Sequence, residues 1–204
     1  MPFILGLTGS IGMGKTTAAK YFRGAGVPVF DADRAVARLY SAEAAPLIAA
    51  AFPGTVRDGT VDRRLLSIAV LADRESILRL EAIVHPMVRL EEQRFLHMAA
   101  ASGARIVVLD IPLLLETAGE SRCDAVLVVS APSAIQRERV LARPDMTEER
   151  FDAILQRQMP DEEKRRCAHF VIDTSRSHAA GRRQVDCVIR ALAGRPTRHA
   201  SEGR

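Results

Sequence analysis

Asparagine and tryptophan are absent from the 204 residues, aromatic side chains make up only 4%, and lysine occurs solely at Lys15, Lys20 and Lys164. Each scarcity excludes something. Without asparagine there is no Asn-Lys-x-Asp motif of the kind that reads guanine, so a guanine-specific switch is ruled out. So few aromatic rings leave little from which to build a stacking platform for bases. The arginines behind the net charge of +4 are scattered rather than gathered into a patch. A nucleic-acid partner is therefore not expected; an anionic small substrate accounts for some arginines and a solvated surface for most. The three cysteines, Cys123, Cys167 and Cys187, form no CxxC pair and no metal-type spacing, the pattern of thiols in a reducing cytosol. No apolar run approaches the ~18 residues of a membrane span. Met1–Thr8 lacks the basic segment that opens a signal peptide. A cytoplasmic chain without a membrane partner is expected.

Apolar residues at 48% and charged residues at 26% suit one compact domain over residues 1–204. Five short, nearly continuous apolar runs stand out: Phe3–Thr8, Val27–Phe30, Arg105–Ile111, Ala125–Ser130 and Phe170–Asp173. Runs of that kind suit strands of a parallel sheet buried on both faces. Helical patterns lie between them, at Lys15–Gly24, Val61–Leu71, Ser76–Val84, Pro86 to about Ala101, Pro132–Arg143, Thr147 to about Met159, and Ala180–Ala193. Thr147 reads as an N-cap and Pro86 as the first turn of a new helix. Strands alternating with helices predict an α/β fold in three layers, α/β/α, around five parallel strands. The long stretch from about 33 to 103 exceeds a normal crossover and reads as a helical insertion of the kind that makes a substrate pocket. Residues 194–204 are small and polar and are expected to fray.

The chemistry is carried first by Gly9-Ser10-Ile11-Gly12-Met13-Gly14-Lys15-Thr16, a full G-x-x-x-x-G-K-[ST] phosphate loop between a strand and a helix. Glycines let successive amides turn inward onto phosphate oxygens, and the helix dipole favours an anion there. Lys15 supplies a charge for the β- and γ-phosphates, and the Thr16 hydroxyl is placed for Mg²⁺.

Further motifs follow in order: Asp31-Ala32-Asp33, His85-Pro86-Met87-Val88-Arg89, Pro112-Leu113-Leu114-Leu115-Glu116, then Gln136, Arg139 and Arg143, and later Gln158. With the phosphate loop, this series resembles the dephospho-CoA kinase family to about Thr174. Leucine stands for a phenylalanine in the fourth motif, Met13 replaces a serine, and Asp173-Thr174 replaces an Asn-Gly that bears on adenine. The resemblance implies a P-loop kinase using ATP and Mg²⁺ to phosphorylate the ribose 3′-hydroxyl of dephospho-CoA; a monomer, or at most a weak oligomer, is expected. It implies nucleotide contacts at Gly9, Gly12, Met13, Gly14, Lys15, Thr16, Thr17, Arg139 and Arg143. Acceptor contacts are implied at Asp33, His85, Arg89, Leu113, Leu114 and Glu116, catalytic roles at Asp33, Lys15 and Arg143, and a mobile lid over about 136–159.

Chemistry bears on several of these. Asp33 follows the second strand, at the edge where open α/β sheets bind ligands. Its carboxylate can orient the acceptor hydroxyl and take its proton late, share in hydrating Mg²⁺, or cap the next helix, with Asp31 as the alternative base. Arg139 and Arg143, four apart, would share a helix face with Gln136 and meet the triphosphate charge together. His85 either caps its helix or touches substrate, while Arg89 suits a substrate phosphate. Asp110 ends an apolar run as a Walker B carboxylate would, facing Mg²⁺ through water or fixing the loop. Glu116 can hold substrate or a lid arginine. The rival readings are a P-loop kinase for nucleoside monophosphate or shikimate, and a non-catalytic ATP-binding module.

Overall fold

The computed structural model describes residues 1–71 and 73–195. The described residues divide into two compact units, Met1–Phe30 with Met98–Arg195, and Asp31–His97.

The first unit is built on a five-stranded parallel sheet of β1 (Phe3–Thr8), β2 (Val29–Asp31), β5 (Ile106–Asp110), β6 (Ala125–Ser130) and β7 (Phe170–Asp173), in the order β2-β5-β1-β6-β7. β1 lies at the centre, pairing in parallel with β5 (Phe3 opposite Ile106) and with β6 (Leu5 opposite Ala125). All six residues of β1 and all five of β5 are buried, which explains why these runs are apolar throughout rather than alternating. Helix α1 (Lys15–Gly24) packs its buried Ala18, Ala19 and Phe22 into the core with Leu5, Leu7, Val108 and Leu127, and with Val185 and Leu192 of α9 (His178–Leu192). Helices α6 (Ser133–Leu141), α7 (Glu148–Leu155) and α8 (Asp161–Cys167) also belong to this unit.

The second unit holds α2 (Ala32–Tyr40), α3 (Ala44–Ala51), a hairpin of β3 (Val56–Arg57) and β4 (Thr60–Val61), α4 (Arg63–Leu71) and most of α5 (Arg74–Ala101). Its own core gathers Leu39, Ile48, Phe52, Val61, Leu66, Val70 and Val84.

The expected strands recur, with β2 shifted to Val29–Asp31. Thr147 caps α7 as expected, accepting from the Arg150 amide at 3.3 Å. Other boundaries differ. Helix α4 begins at Arg63 because Val61 is taken by the hairpin. No break occurs at His85-Pro86: α5 runs through Pro86 for 28 residues. Proline removes one hydrogen bond, but Leu80, Ile83 and Val84 before it and Met87 and Val88 after it pack on one core, and burial outweighs the loss. His85 is consequently mid-helix and caps nothing. Helix α6 ends at Leu141, two residues short of Arg143. Helix α7 ends at Leu155 rather than Met159, and Pro160 opens α8, which the periodicity did not indicate. The fraying expected beyond Gly194 falls, after Arg195, outside the described residues.

Candidate active site

The loop Gly9–Gly14 leaves the carboxyl end of β1 and turns into α1. Gly14, at φ 87°, is the N-cap of that helix and no side chain caps it, so the first amides, from Lys15 and Thr16, remain for an anion. Gly12 adopts φ 77°, and a Cβ there would come within 2.5 Å of Val140 Cγ2 and 3.0 Å of the Gln136 carbonyl oxygen. Glycine is therefore required at Gly12 twice, by conformation and by the close approach of α6. Gly9 packs directly on Val129 of β6. Met13 turns inward, 2% exposed, with its Sδ accepting from the Ala131 amide at 3.1 Å; methionine here closes the underside of the loop.

Lys15 Nζ lies 2.6 Å from Oδ1 of Asp110, at the end of the neighbouring strand β5, and only 4% of the Asp110 side chain is exposed. Thr16 is exposed on the first turn of α1 and Thr17 is half-buried behind it.

Two glutamines grip the loop. Gln136 Nε2 donates to the Ile11 carbonyl at 2.8 Å, and the Ile11 amide donates to Gln158 Oε1 at 3.0 Å. A third clasp comes from the end of β7. The Thr174 hydroxyl donates to the Met13 carbonyl at 2.8 Å, and Arg139 donates to the Thr174 carbonyl at 2.6 Å and to its hydroxyl at 3.2 Å. Arg139 thus sits in the wall of the loop, with the Gly12 carbonyl 3.5 Å away. Arg143 is not its partner on a helix face: it lies beyond α6, exposed, with no side-chain partner among the described residues. Arg137, the arginine that faces elsewhere, binds Glu148 at 2.7 Å and lies over the Phe151 ring at 5.9 Å, fastening α6 to α7.

The segment after β5 separates its leucines. Leu113 is exposed, whereas Leu114 is fully buried beneath Gly6, whose Cα side it fills. Leu114 therefore leaves the set of acceptor contacts and belongs to the core. Glu116 Oε1 accepts from the Met159 amide at 2.9 Å and lies 2.7 Å from Nζ of Lys164, a lysine with no exposed surface. The lysine approaches off the hydrogen-bonding axis, so the contact is an ion pair. Asp161, one turn earlier on α8, accepts from the Ser130 hydroxyl at 2.7 Å. At the end of β7, hydrogen bonds from the Ser175 hydroxyl and amide, then the charge of Arg176, hold the Asp173 carboxyl below its ordinary range.

In the second unit, Asp31 Oδ1 accepts from the Arg34 amide at 3.0 Å and is the N-cap of α2. That leaves Asp33, exposed in the first turn, with no partner among the described residues. His85 and Arg89 lie one turn apart on α5, both exposed and likewise without partners among the described residues.

Sequence reasoning missed Lys164 and the structural part of Thr174. Nothing in a sequence distinguishes a buried lysine from an exposed one, although Lys164 is one of only three. Gln136 and Gln158 were found by resemblance alone, without the role their side chains have.

A phosphate loop on the central strand of a five-stranded parallel sheet, with its lysine beside a buried strand-end carboxylate, defines the class of P-loop kinases. A dephospho-CoA kinase of solved structure from Campylobacter jejuni shares this fold, with a TM-score of 0.72 over 95% of this chain and 98% of its own, at 24% identity. The model of the dephospho-CoA kinase family matches residues 3–180, and the chain belongs to that family. It is 59% identical to the dephospho-CoA kinase of Mesorhizobium japonicum, across 94% of this chain and 97% of that one. A solved structure from Thermus thermophilus matches with a TM-score of 0.83 at 37% identity, covering 95% of this chain and 99% of the other.

Proposed function

We propose that this chain transfers the γ-phosphoryl group of ATP to the ribose 3′-hydroxyl of dephospho-CoA, giving ADP and CoA in the last step of coenzyme A biosynthesis. The observation that carries the reading is the phosphate loop, with its open helix terminus and the Lys15–Asp110 pair, in a chain of this family. The loop amides and Lys15 hold the β- and γ-phosphates and meet the charge that develops between them. The bond from the γ-phosphorus to the bridging oxygen breaks, and one to the acceptor 3′-oxygen forms. Asp33 orients that hydroxyl and takes its proton late, since a loose transition state needs little early deprotonation. The absence of any partner on Asp33 among the described residues suits this role.

Mg²⁺ bound with the nucleotide would neutralise phosphate charge. Thr16 is the hard oxygen donor suited to it, and Asp110 or Asp33 would serve it through water. Among the described residues no cluster of three or more His, Cys, Asp or Glu side chains could hold a metal by itself. That fits an ion held largely by substrate phosphates. Arg139 steadies the loop, and the Arg143 guanidinium, without a side-chain partner among the described residues, is available to the triphosphate. Residues 136–159 act as a lid that keeps water from competing as acceptor. Arg89 serves an acceptor phosphate and His85 touches the acceptor, Leu113 gives an apolar contact, and Glu116 anchors the end of the lid. Residues 33–103 are read as the acceptor-binding insertion. No described helix is long and apolar enough to cross a membrane; a cytoplasmic monomer, independent of nucleic acid, completes the reading.

ADP release from purified protein with Mg²⁺-ATP, with and without dephospho-CoA, tests this. Release that depends on dephospho-CoA, with CoA identified by mass, is expected. Nucleotide binding without such dependence would overturn the assignment.

A further inference from the structure

The unit Asp31–His97 has a cavity of its own, of about 370 Å³, between α2, α4 and α5. Its lining includes Val36, Tyr40, Arg63, Leu66, Ser67 and Leu80. Leu66 is buried, whereas Arg63 and Ser67 are exposed, so the space has an apolar floor and a polar lip. That size and lining are typical of a small-molecule site. The Arg63 guanidinium lies 5.7 Å from the centre of the Tyr40 ring and has no carboxylate partner among the described residues. Burial raises the Tyr40 phenol above its ordinary pKa, against a smaller opposing effect of Arg63, so it stays a neutral donor at physiological pH.

Asp33, Val36 and Tyr40 fall on one face of α2. From Asp33 to Tyr40 the helix advances about 10 Å, at 1.5 Å per residue. In dephospho-CoA, nine bonds lead from the ribose 3′-oxygen through the 5′-diphosphate to the first carbon of the pantetheine arm. An extended chain advances roughly 1.2 Å per bond, which is again about 10 Å. With the 3′-hydroxyl at Asp33 and the acceptor extended along α2, the arm would begin at Tyr40.

We propose that this cavity seats the pantetheine arm of the acceptor, with Arg63 at the diphosphate that precedes it. Val36, Leu66 and Leu80 take the dimethyl-substituted carbon, and the Tyr40 and Ser67 hydroxyls serve the two amides. The assignment rests on the reading of dephospho-CoA as acceptor and of Asp33 as the group at its 3′-hydroxyl.

The test compares dephospho-CoA with the methyl ester of ADP at its terminal phosphate, which keeps the 3′-hydroxyl and the diphosphate but lacks the arm. For the wild type, KM for the ester is expected at least tenfold above that for dephospho-CoA. Ser67→Phe, which fills the cavity, raises KM for dephospho-CoA about tenfold more than KM for the ester. Arg63→Gln, an exposed change, raises KM for both acceptors alike, since both carry the diphosphate. A wild type that uses dephospho-CoA with a KM within threefold of the ester's overturns the cavity assignment and leaves the function standing. So does an equal effect of Ser67→Phe on the two acceptors. An Arg63→Gln variant with unchanged KM for both removes Arg63 from the diphosphate. A wild type that never phosphorylates dephospho-CoA overturns the functional reading and the cavity with it. Should Ser67→Phe fail to fold, the wild-type comparison and Arg63→Gln still decide.

Discussion

Gln136 and Gln158 hold opposite poles of one residue, Ile11: the first donates to its carbonyl at 2.8 Å and the second accepts from its amide at 3.0 Å. Ile11 lies within the phosphate loop, and the two glutamines lie at the beginning and close of the segment read as a lid. Because both act on one loop residue, their effects are expected to be non-additive. Gln136→Leu and Gln158→Leu should each raise KM for ATP, with a coupling in the range of about 0.5–3 kcal/mol. A double-mutant cycle on ATP affinity measures it; strictly additive effects would show that the two bonds do not act together.

Lys15 rests on Asp110 at 2.6 Å, so its charge is held at the loop before any phosphate arrives. Lys15→Ala is expected to lower kcat/KM by about 10²–10³ and to weaken ATP. Asp110→Asn keeps the shape but removes the charge that positions Lys15 and is read as serving Mg²⁺. It should raise the Mg²⁺ concentration needed for half-maximal rate, and a titration unchanged from wild type would exclude Asp110 from that service.

Two carboxylates close in sequence divide their labour. Asp31 is the N-cap of α2, and Asp31→Ala should cost stability of about 1 kcal/mol in urea unfolding. Asp33, without a partner among the described residues, should give the converse in Asp33→Asn: near-normal stability and ATP affinity with a sharp fall in turnover. Normal turnover by that variant would remove Asp33 from the mechanism.

The Lys164–Glu116 pair is buried on the lysine side. Breaking it by Glu116→Gln leaves a buried ammonium without its counter-charge, which costs about 3–5 kcal/mol. Replacing both partners, as Glu116→Gln with Lys164→Met, should recover much of that loss. Chemical denaturation of the single and double variants reads this directly, and a double variant worse than the single would contradict it.

The Asp173 carboxyl is held below its ordinary range by the Ser175 hydroxyl and amide and by Arg176. Its charged form is favoured by folding, so its contribution is present above the unfolded value near ~3.9 and is lost as pH falls through the depressed folded value. Asp173→Asn should therefore be less stable than wild type at neutral pH, with the difference shrinking in acid below about pH 4. The half-exposed setting keeps the effect small. A stability gap independent of pH would assign the loss to geometry rather than charge.

Much of the fold was legible in local pattern. Runs buried on both faces, such as Phe3–Thr8, betray themselves by continuous hydrophobicity, and the phosphate loop does so because glycine alone tolerates its conformation at Gly12. The failures are equally specific. Pro86 signals a helix start in isolation, but the core packed on both sides of it carries α5 through. Leu113 and Leu114 are indistinguishable in sequence, and only the space beneath Gly6 decides which one is buried.

The sequence by itself determined the phosphate-binding loop, the order of strands along the chain and the identity of the acidic and basic candidates, because these depend on backbone freedom, periodicity and side-chain chemistry. Tertiary structure alone decided that Asp31 caps α2 while Asp33 has no partner among the described residues, and that Arg139 braces the loop while Arg143 lies exposed beyond α6. It also decided that Lys164 is buried beside Glu116. Those outcomes depend on distances between groups far apart in the chain, and a local pattern carries no record of them.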